Sequence, residues 1–258
     1  MTTETFTTPG QATWTAPFTG TVKVELWGAG AGGGGNAVAS DGAGGGSAGG
    51  YGRLDSYSVT QDTVYTLNVG TQGVGQTSLA GTGGGVTWWR SAATFQVPGG
   101  TAGKVVSGGA PGGVATAIPA TDASFVGTFD VKTAGGDGGA GVNNNNGGGG
   151  GGGGSPGDTT AGGNGGTGGV GTGGTAGTAG TTNGGIGGVG GGGANPGIAP
   201  VSNNGGGGGG SGEGVVKGGD GTSGKLTLTY EIAGAGMPWI PQAVLGSNSM
   251  IGGGGFTS

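Results

Sequence analysis

The sequence predicts a mostly β and irregular fold: a small antiparallel β-sandwich clamping a bundle of polyglycine-II helices, with almost no α-helix. Three observations point there. Glycine supplies 83 of 258 residues while only 7 % are charged, which leaves little material for a conventional core. Within the stretch 134–224 glycine recurs every third residue, through Gly162, Gly165, Gly168, Gly171, Gly174, Gly177 and Gly180, and again through Gly184, Gly187, Gly190 and Gly193. Alternating segments of high β-propensity lie before residue 133 and return at 225–231.

A period of three is neither the helical 3.6 nor the strand 2.0. It is the period of a left-handed polyproline-II-type helix, which has no internal hydrogen bonds. Each N–H and C=O of such a rod needs an outside partner, and glycine lets neighbouring backbones approach closely enough to supply it. Ordering the backbone costs about 1–2 kcal/mol per residue, so one rod alone is unstable and a bundle needs pinned ends. A flexible glycine-rich linker is the generic competitor. Collagen requires a strict Gly-X-Y repeat and far more proline than 10 residues. A calcium-binding β-roll requires recurring aspartate, whereas only Asp137, Asp158 and Asp220 occur here.

In chain order, Ala12–Thr15 alternates between the turns at Pro9-Gly10 and Pro17–Gly20. Thr21–Trp27 is the clearest strand, with Val22, Val24 and Leu26 on one face and Lys23, Glu25 and Trp27 on the other. A glycine tract, Gly28–Gly50, leads to strands at Gly52–Val59 and Val64–Val69 with a turn at Gln61–Thr63. Val86–Arg90, Thr94–Val97 and Phe125–Val131 read as further short strands. Lys225–Glu231 alternates again and finds a core only by returning to the N-terminal sheet. This gives a sandwich domain of 1–133 plus 225–231, a bundle of 134–224 and a C-terminal tail of 232–258. Asn143–Asn146, Ser155–Asp158 and Ala194–Asn204 divide the bundle into rods, turns being rich in Asn, Asp, Pro and Gly. The uninterrupted piece Gly162–Gly180 should span about 60 Å at ~3.1 Å per residue.

The net charge of −5, with no two basic residues adjacent, argues against nucleic acid. No apolar run reaches the length of a membrane span, and Met-Thr-Thr-Glu-Thr lacks the features of an export signal, so assembly in the cytoplasm is expected. The absence of Cys and His removes disulfides, the commonest general base and the commonest metal ligands. Gly28–Gly33 fits a dinucleotide-binding pattern literally but opens no helix, and Gly103-Lys104 is followed by Val105 instead of Ser or Thr. No enzymatic activity and no cofactor are expected.

Phe6, Pro9-Gly10, Trp14 and Pro17, followed by Val22-Lys23-Val24-Glu25-Leu26-Trp27-Gly28-Ala29-Gly30, resemble the opening of the glycine-rich domain of bacteriophage tail and tail-fibre proteins. Residues 49–52, Tyr65–Gly70 and Gly224–Tyr230 match the same pattern in order, so the resemblance covers 1–231. Residues 162–169 are locally similar to the glycine-rich repeat proteins of mycobacteria, whose helical N-terminal domain is missing. The phage resemblance implies a virion structural protein of the tail tip or fibre, serving attachment or tip architecture. Its implied partners are other tail proteins and a host-surface glycan or protein, and it implies a homo-oligomer such as a trimer. The alternative is a non-phage surface-matrix or ice-binding protein, for which a flat rod face with regularly spaced threonine would argue. Phage adhesins of comparable construction bind receptors through rod-end turns, so the candidate receptor contacts are Asn143, Asn144, Asn145, Asn146, Ser155, Pro156, Asp158, Asn203 and Asn204. Trp88 and Trp89 alternate across a short strand, which buries one and leaves the other as a further candidate. The apolar run Met237, Pro238, Trp239, Ile240, Pro241, Val244 and Leu245 is a candidate docking peptide, with a strap on its own domain as the competing reading.

Overall fold

A computed structural model describes residues 1–35, 41–91, 95–104, 129–142, 147–175, 178, 184–201 and 205–232. Among the described residues nine strands follow in order: β1 (Thr2–Phe6), β2 (Gly10–Thr15), β3 (Gly20–Trp27), β4 (Tyr51–Val59), β5 (Val64–Val69), β6 (Thr87–Trp89), β7 (Phe95–Val97), β8 (Val131–Thr133) and β9 (Lys225–Tyr230). They form two antiparallel sheets, ordered β1-β9-β3-β4-β8 and β2-β5-β6-β7. No described residue is helical. The returning strand β9 is inserted between β1 and β3, pairing Leu226 with both Phe6 and Leu26. β1 has no counterpart among the expected strands: Thr-Thr-Glu-Thr-Phe carries one apolar residue, so its edge position beside β9 leaves no alternation to read. The strand expected at Phe125–Val131 begins at Val131, and 125–128 lie outside the described residues.

The core forms where the two sheets face each other. Val22, Val24 and Leu26 of β3 and Leu226 and Leu228 of β9 meet Leu67 and Val69 of β5, Trp89 of β6 and Val97 of β7, all at most 1 % exposed. Burial of each such side chain contributes about 1.5–3 kcal/mol, which suffices for a small sandwich. Trp14, Tyr65 and Trp89 stack into one aromatic group, with Tyr65 and Trp89 near parallel at 5.4 Å. Glu4 of β1 receives the indole N–H of Trp14 at 3.0 Å and the hydroxyl of Tyr230, which locks the edge strand to both sheets.

Glycine segments leave the same end of this sandwich, and their hydrogen bonding runs sideways. Along 28–35, the amides of Gly28, Ala31 and Gly34 donate to Gly50, Ser47 and Gly44; those of Ala29, Gly32 and Gly35 donate to Gly85, Thr82 and Leu79; those of Gly30 and Gly33 donate to Thr222 and Gly219. Partners therefore rotate among three neighbours with a period of three. Segment 147–155 behaves alike, donating to 163–169, to 185–191 and to Ala43 and Gly46, at 2.7–3.0 Å. Its carbonyls accept from 136–142, from Gly174 and from Gly207 and Gly210. Six neighbouring segments thus surround one chain, and residues 147–157 are wholly buried. Unlike ordinary buried loops, this interior satisfies its polar groups with other backbone.

Two expectations need correction. The hydrogen-bonded array reaches beyond 134–224, because 28–35, 41–50, 70–85 and 98–104 are part of it. Gly162–Gly180 is not one long rod: it folds back at Gly171, whose φ of 71° suits glycine, and Gly163, Gly166 and Gly169 donate to Thr178, Thr175 and Thr172. The sequence carried a signal for this turn. Residues larger than alanine fall at 164, 167 and 170, then at 172, 175 and 178, so their repeat slips by one residue at the bend.

The non-glycine positions also separate inner from outer segments. The buried segments 28–35, 41–50, 147–157 and 205–212 contain Gly, Ala and Ser with only Asp41 and Pro156 besides. Outer segments place a larger side chain at every third position, and Asn164, Thr167, Thr172, Thr175 and Thr178 all face solvent. A side chain pointing outward every third residue ends lateral growth of the array, much as charged residues protect an edge strand. At Gly153 an added Cβ would lie 1.9 Å from the carbonyl oxygen of Gly136, so there is no room for one. Gly153→Ala is therefore expected to destabilise by about 1–3 kcal/mol or more, opposite to the usual gain from removing glycine flexibility. Thr167→Ala is expected to stay within about 0.5 kcal/mol. Denaturant unfolding of both variants checks this, and equal midpoints would refute close packing at Gly153.

Candidate functional site

The molecule has two ends with different chemistry. At the seam between sandwich and array, the last residues of β3 and the first of β4 and β9 meet, pairing Trp27 with Tyr51 and with Lys225. The Trp27 and Tyr51 rings lie 4.8 Å apart, and the Lys225 ammonium sits 3.8 Å from the indole centroid. Tyr51 donates its hydroxyl proton to Glu25 Oε1 at 2.8 Å, and Lys23 pairs with the other carboxylate oxygen at 3.0 Å. The turn 155–158 rests on this platform. Trp27 Nε1 donates to the Pro156 carbonyl at 3.2 Å, Thr133 Oγ1 to the Gly157 carbonyl at 2.7 Å, and Arg53 approaches Asp158 at 3.8 Å. Between the sheets, the buried Thr87 hydroxyl donates to the Trp27 carbonyl and accepts from the amide of Gly70.

This overturns part of the expected receptor surface. Ser155 is fully buried and Pro156 is buried, so this turn is a foot seated on the sandwich instead of a tip facing outward. Asp158 stays partly accessible but faces Arg53. The reason is sequence order: 147–154 runs toward the sandwich, and the turn that ends it arrives at Trp27. Trp88 and Trp89 divide as alternation requires, Trp89 being fully buried and Trp88 partly exposed on the outer side of the second sheet. Asn143–Asn146, Asn203–Asn204 and the docking peptide Met237–Leu245 lie outside the described residues.

The opposite end gathers turns of other segments. Gly147 bridges to Val170, Gly169 to Thr172 and Thr77 to Lys217. Positive φ at Ser78, Gly171, Gly193 and Gly214 marks four of these turns. Their exposed or partly exposed polar groups include Thr77, Thr172, Asn195, Glu213 and Lys217. Sequence reading missed Gly171 because glycine recurs every third residue straight through it and only the larger residues slip in register there, and it missed Gly214 because no Asn, Asp or Pro marks the turn; Gly193 adjoins the divider at Ala194–Asn204. Val142 donates to Gly148 at this end. Among the described residues no group of three carboxylates could hold a metal ion. The far end exposes hydroxyl, amide and a few charged groups.

Residues 7–231 match the family model described as the glycine-rich domain, and the chain belongs to that family. A comparison with curated proteins gives no match.

The seam makes a pH prediction. Burial, then the charge of Glu25 and the hydrogen bond to it, hold the Tyr51 hydroxyl far above its ordinary value, and burial with the Glu4 contact pushes Tyr230 up to about 12. Both phenols ionise near pH ~10 when unfolded, so the stability they contribute is complete below about pH 10 and is lost as pH rises toward the folded values. Burial pushes Lys225 below its ordinary range, against the pull of Glu25, which acts in the opposite sense over the pH range just below its unfolded value. Denaturant midpoints are expected to fall above about pH 10, less steeply in Tyr51→Phe; an unchanged slope in that variant would contradict a sequestered phenol.

Proposed function

We propose that this member of the glycine-rich domain family is a bacteriophage virion protein of the tail tip or tail fibre. In this reading the sandwich roots the glycine array in the particle and the far turns meet the host surface. The observation that carries it is the polarity of the molecule. Glycine segments leave the sandwich on one side, cross-link to one another along their length, and gather polar turns at the opposite end. Such a body is stiff for its mass, because each buried rod is held by backbone bonds to neighbours on all sides. Stiffness suits a projection that must transmit contact from a cell surface to a particle. The resemblance of 1–231 to phage tail glycine-rich domains supports the same reading.

The rods are polyglycine-II helices in this reading. Rotation of partners with a period of three is what a three-residue turn without internal bonds demands. The contact surface is the far end, with Thr172 and Asn195 presenting a hydroxyl and an amide to a glycan or protein of the host, and Asn143–Asn146 are the sequence candidates that would join them. Ser155 and Pro156 are excluded by their burial. Other tail proteins are the fixed partners, several copies assemble in the host cytoplasm, and no reaction or cofactor is involved.

Mass spectrometry of purified particles is expected to find this chain, and its absence would end the proposal. Replacing Asn143–Asn146 and Asn195 by alanine is expected to lower adsorption about tenfold or more, equivalent to about 1.4 kcal/mol of binding, with particle yield unchanged. Normal adsorption by such particles would remove the attachment role and leave tip architecture.

A further inference from the structure

One side of the array differs from the others. Segment 184–193 touches four neighbours in an arc: Gly190 donates to Gly174, residues 149–155 donate to 185–191, Gly188 and Gly191 donate to Gly207 and Gly210, and Ile198 donates to Val189. Each neighbour in that arc is bonded to the next, Gly174 to Gly149, Gly210 to Gly150 and Gly209 to Ile198. In packing with six neighbours each step is a sixth of a turn, so three steps place 172–175 and 195–201 on opposite sides of 184–193. The three segments lie in one plane, and among the described residues nothing covers its outer side.

On that plane Ile186 and Val189 stand in one row and Ile198 and Val201 in the next, at matching three-residue spacing. They are 44 %, 42 %, 56 % and 86 % exposed. Elsewhere the outward rows mix polar and apolar residues: Asn164 and Thr167 share one with Val170, and Lys217 and Asp220 lie near Val215. Thr172, Thr175 and Thr178 lean away from the plane, their hydroxyls standing over Gly169, Gly166 and Gly163. On this plane two exposed apolar residues stand in each of two adjacent rows. An exposed apolar patch of a few hundred Å² is about the largest that a monomer shows and is often functional.

We propose that this face binds the same face of a second copy of the chain. Three features select that occupant. Residues 172–201 contain no Asp, Glu, Lys or Arg, so two copies of a chain with net charge −5 can meet here without opposing charges in the contact. The rows repeat at a fixed spacing along and across the plane, and a surface of that lattice meets its best ridge-to-groove match in another of the same spacing. A two-fold axis brings identical patches together and closes the assembly. Two rows about 4.8 Å apart, over ten residues at ~3.1 Å each, cover roughly 300 Å². That is well under the ~800 Å² per partner of a stable complex, so the pair is weak and concentration-dependent on its own and gains strength where copies are held side by side. The proposal stands without the phage reading, since it concerns the chain in solution.

Sedimentation velocity of the full chain across concentration is the test. A reversible monomer–dimer equilibrium is expected, and the quadruple variant Ile186→Thr, Val189→Thr, Ile198→Thr and Val201→Thr is expected to weaken it about tenfold or more with an unchanged melting temperature. As a second readout, the chain has no native cysteine, so Val189→Cys is expected to give a disulfide-linked dimer on mild oxidation while Thr167→Cys does not. A chain that stays monomeric at every concentration, a quadruple variant that still dimerises, or equal cross-linking through Thr167→Cys would each overturn the proposal. So would thermal hysteresis by a strictly monomeric chain that the quadruple variant loses, which would assign the face to ice.

Discussion

The whole structure depends on the sideways amide bond between chains that lack side chains. An interior built this way inverts the usual balance of terms. In an ordinary core, apolar side chains drive burial and the backbone must be satisfied within helices or sheets. Here the backbone is itself the packing surface, and in segments such as 147–154 nothing else is buried. Each hydrogen bond contributes only about 0.5–1.5 kcal/mol net, while each glycine loses more conformational freedom than any other residue. The array is stable only because partners surround a chain on all sides and because its ends are fixed by something with a conventional core.

The sandwich supplies that fixation, and the seam explains how. Trp27, Tyr51 and Lys225 sit where strands become glycine segments, and the buried Thr87 hydroxyl ties the last carbonyl of β3 to the second sheet. Charged and aromatic groups are rare in this chain, yet Glu25, Arg53 and Asp158 are concentrated in this region. The turn at Ser155–Asp158 settles on it because the aromatic ledge offers both apolar area and an indole N–H for a carbonyl that would otherwise be buried without a partner. The expectation that this turn faced a receptor failed for that reason: turn residues are legible from composition, but which end of a rod they occupy is not.

Position within the array accounts for the remaining side chains. Where a segment has neighbours all round, a Cβ added at a glycine such as Gly153 meets a carbonyl, and apart from Asp41 and Pro156 only Gly, Ala and Ser occur. Where one side is open, a larger residue appears at every third position and its character sets what that side can do. Polar rows offer hydrogen bonds to water; the isoleucine and valine rows expose apolar surface to it.

The sequence by itself determined the sandwich strands with alternating apolar faces, the return of β9 and the three-residue period of the glycine tracts, because each follows from a spacing that local chemistry enforces. It also contained, unread, the slip at Gly171 that folds one tract in two. Only the tertiary structure decided that 28–35, 41–50, 70–85 and 98–104 join the same array, that 147–154 is its buried centre, and that Ser155 is hidden while Ile186 and Val189 are not. A run of glycine has no side chains to specify a neighbour, so its partners are chosen by the lengths of the segments and by where the sandwich releases and recaptures the chain.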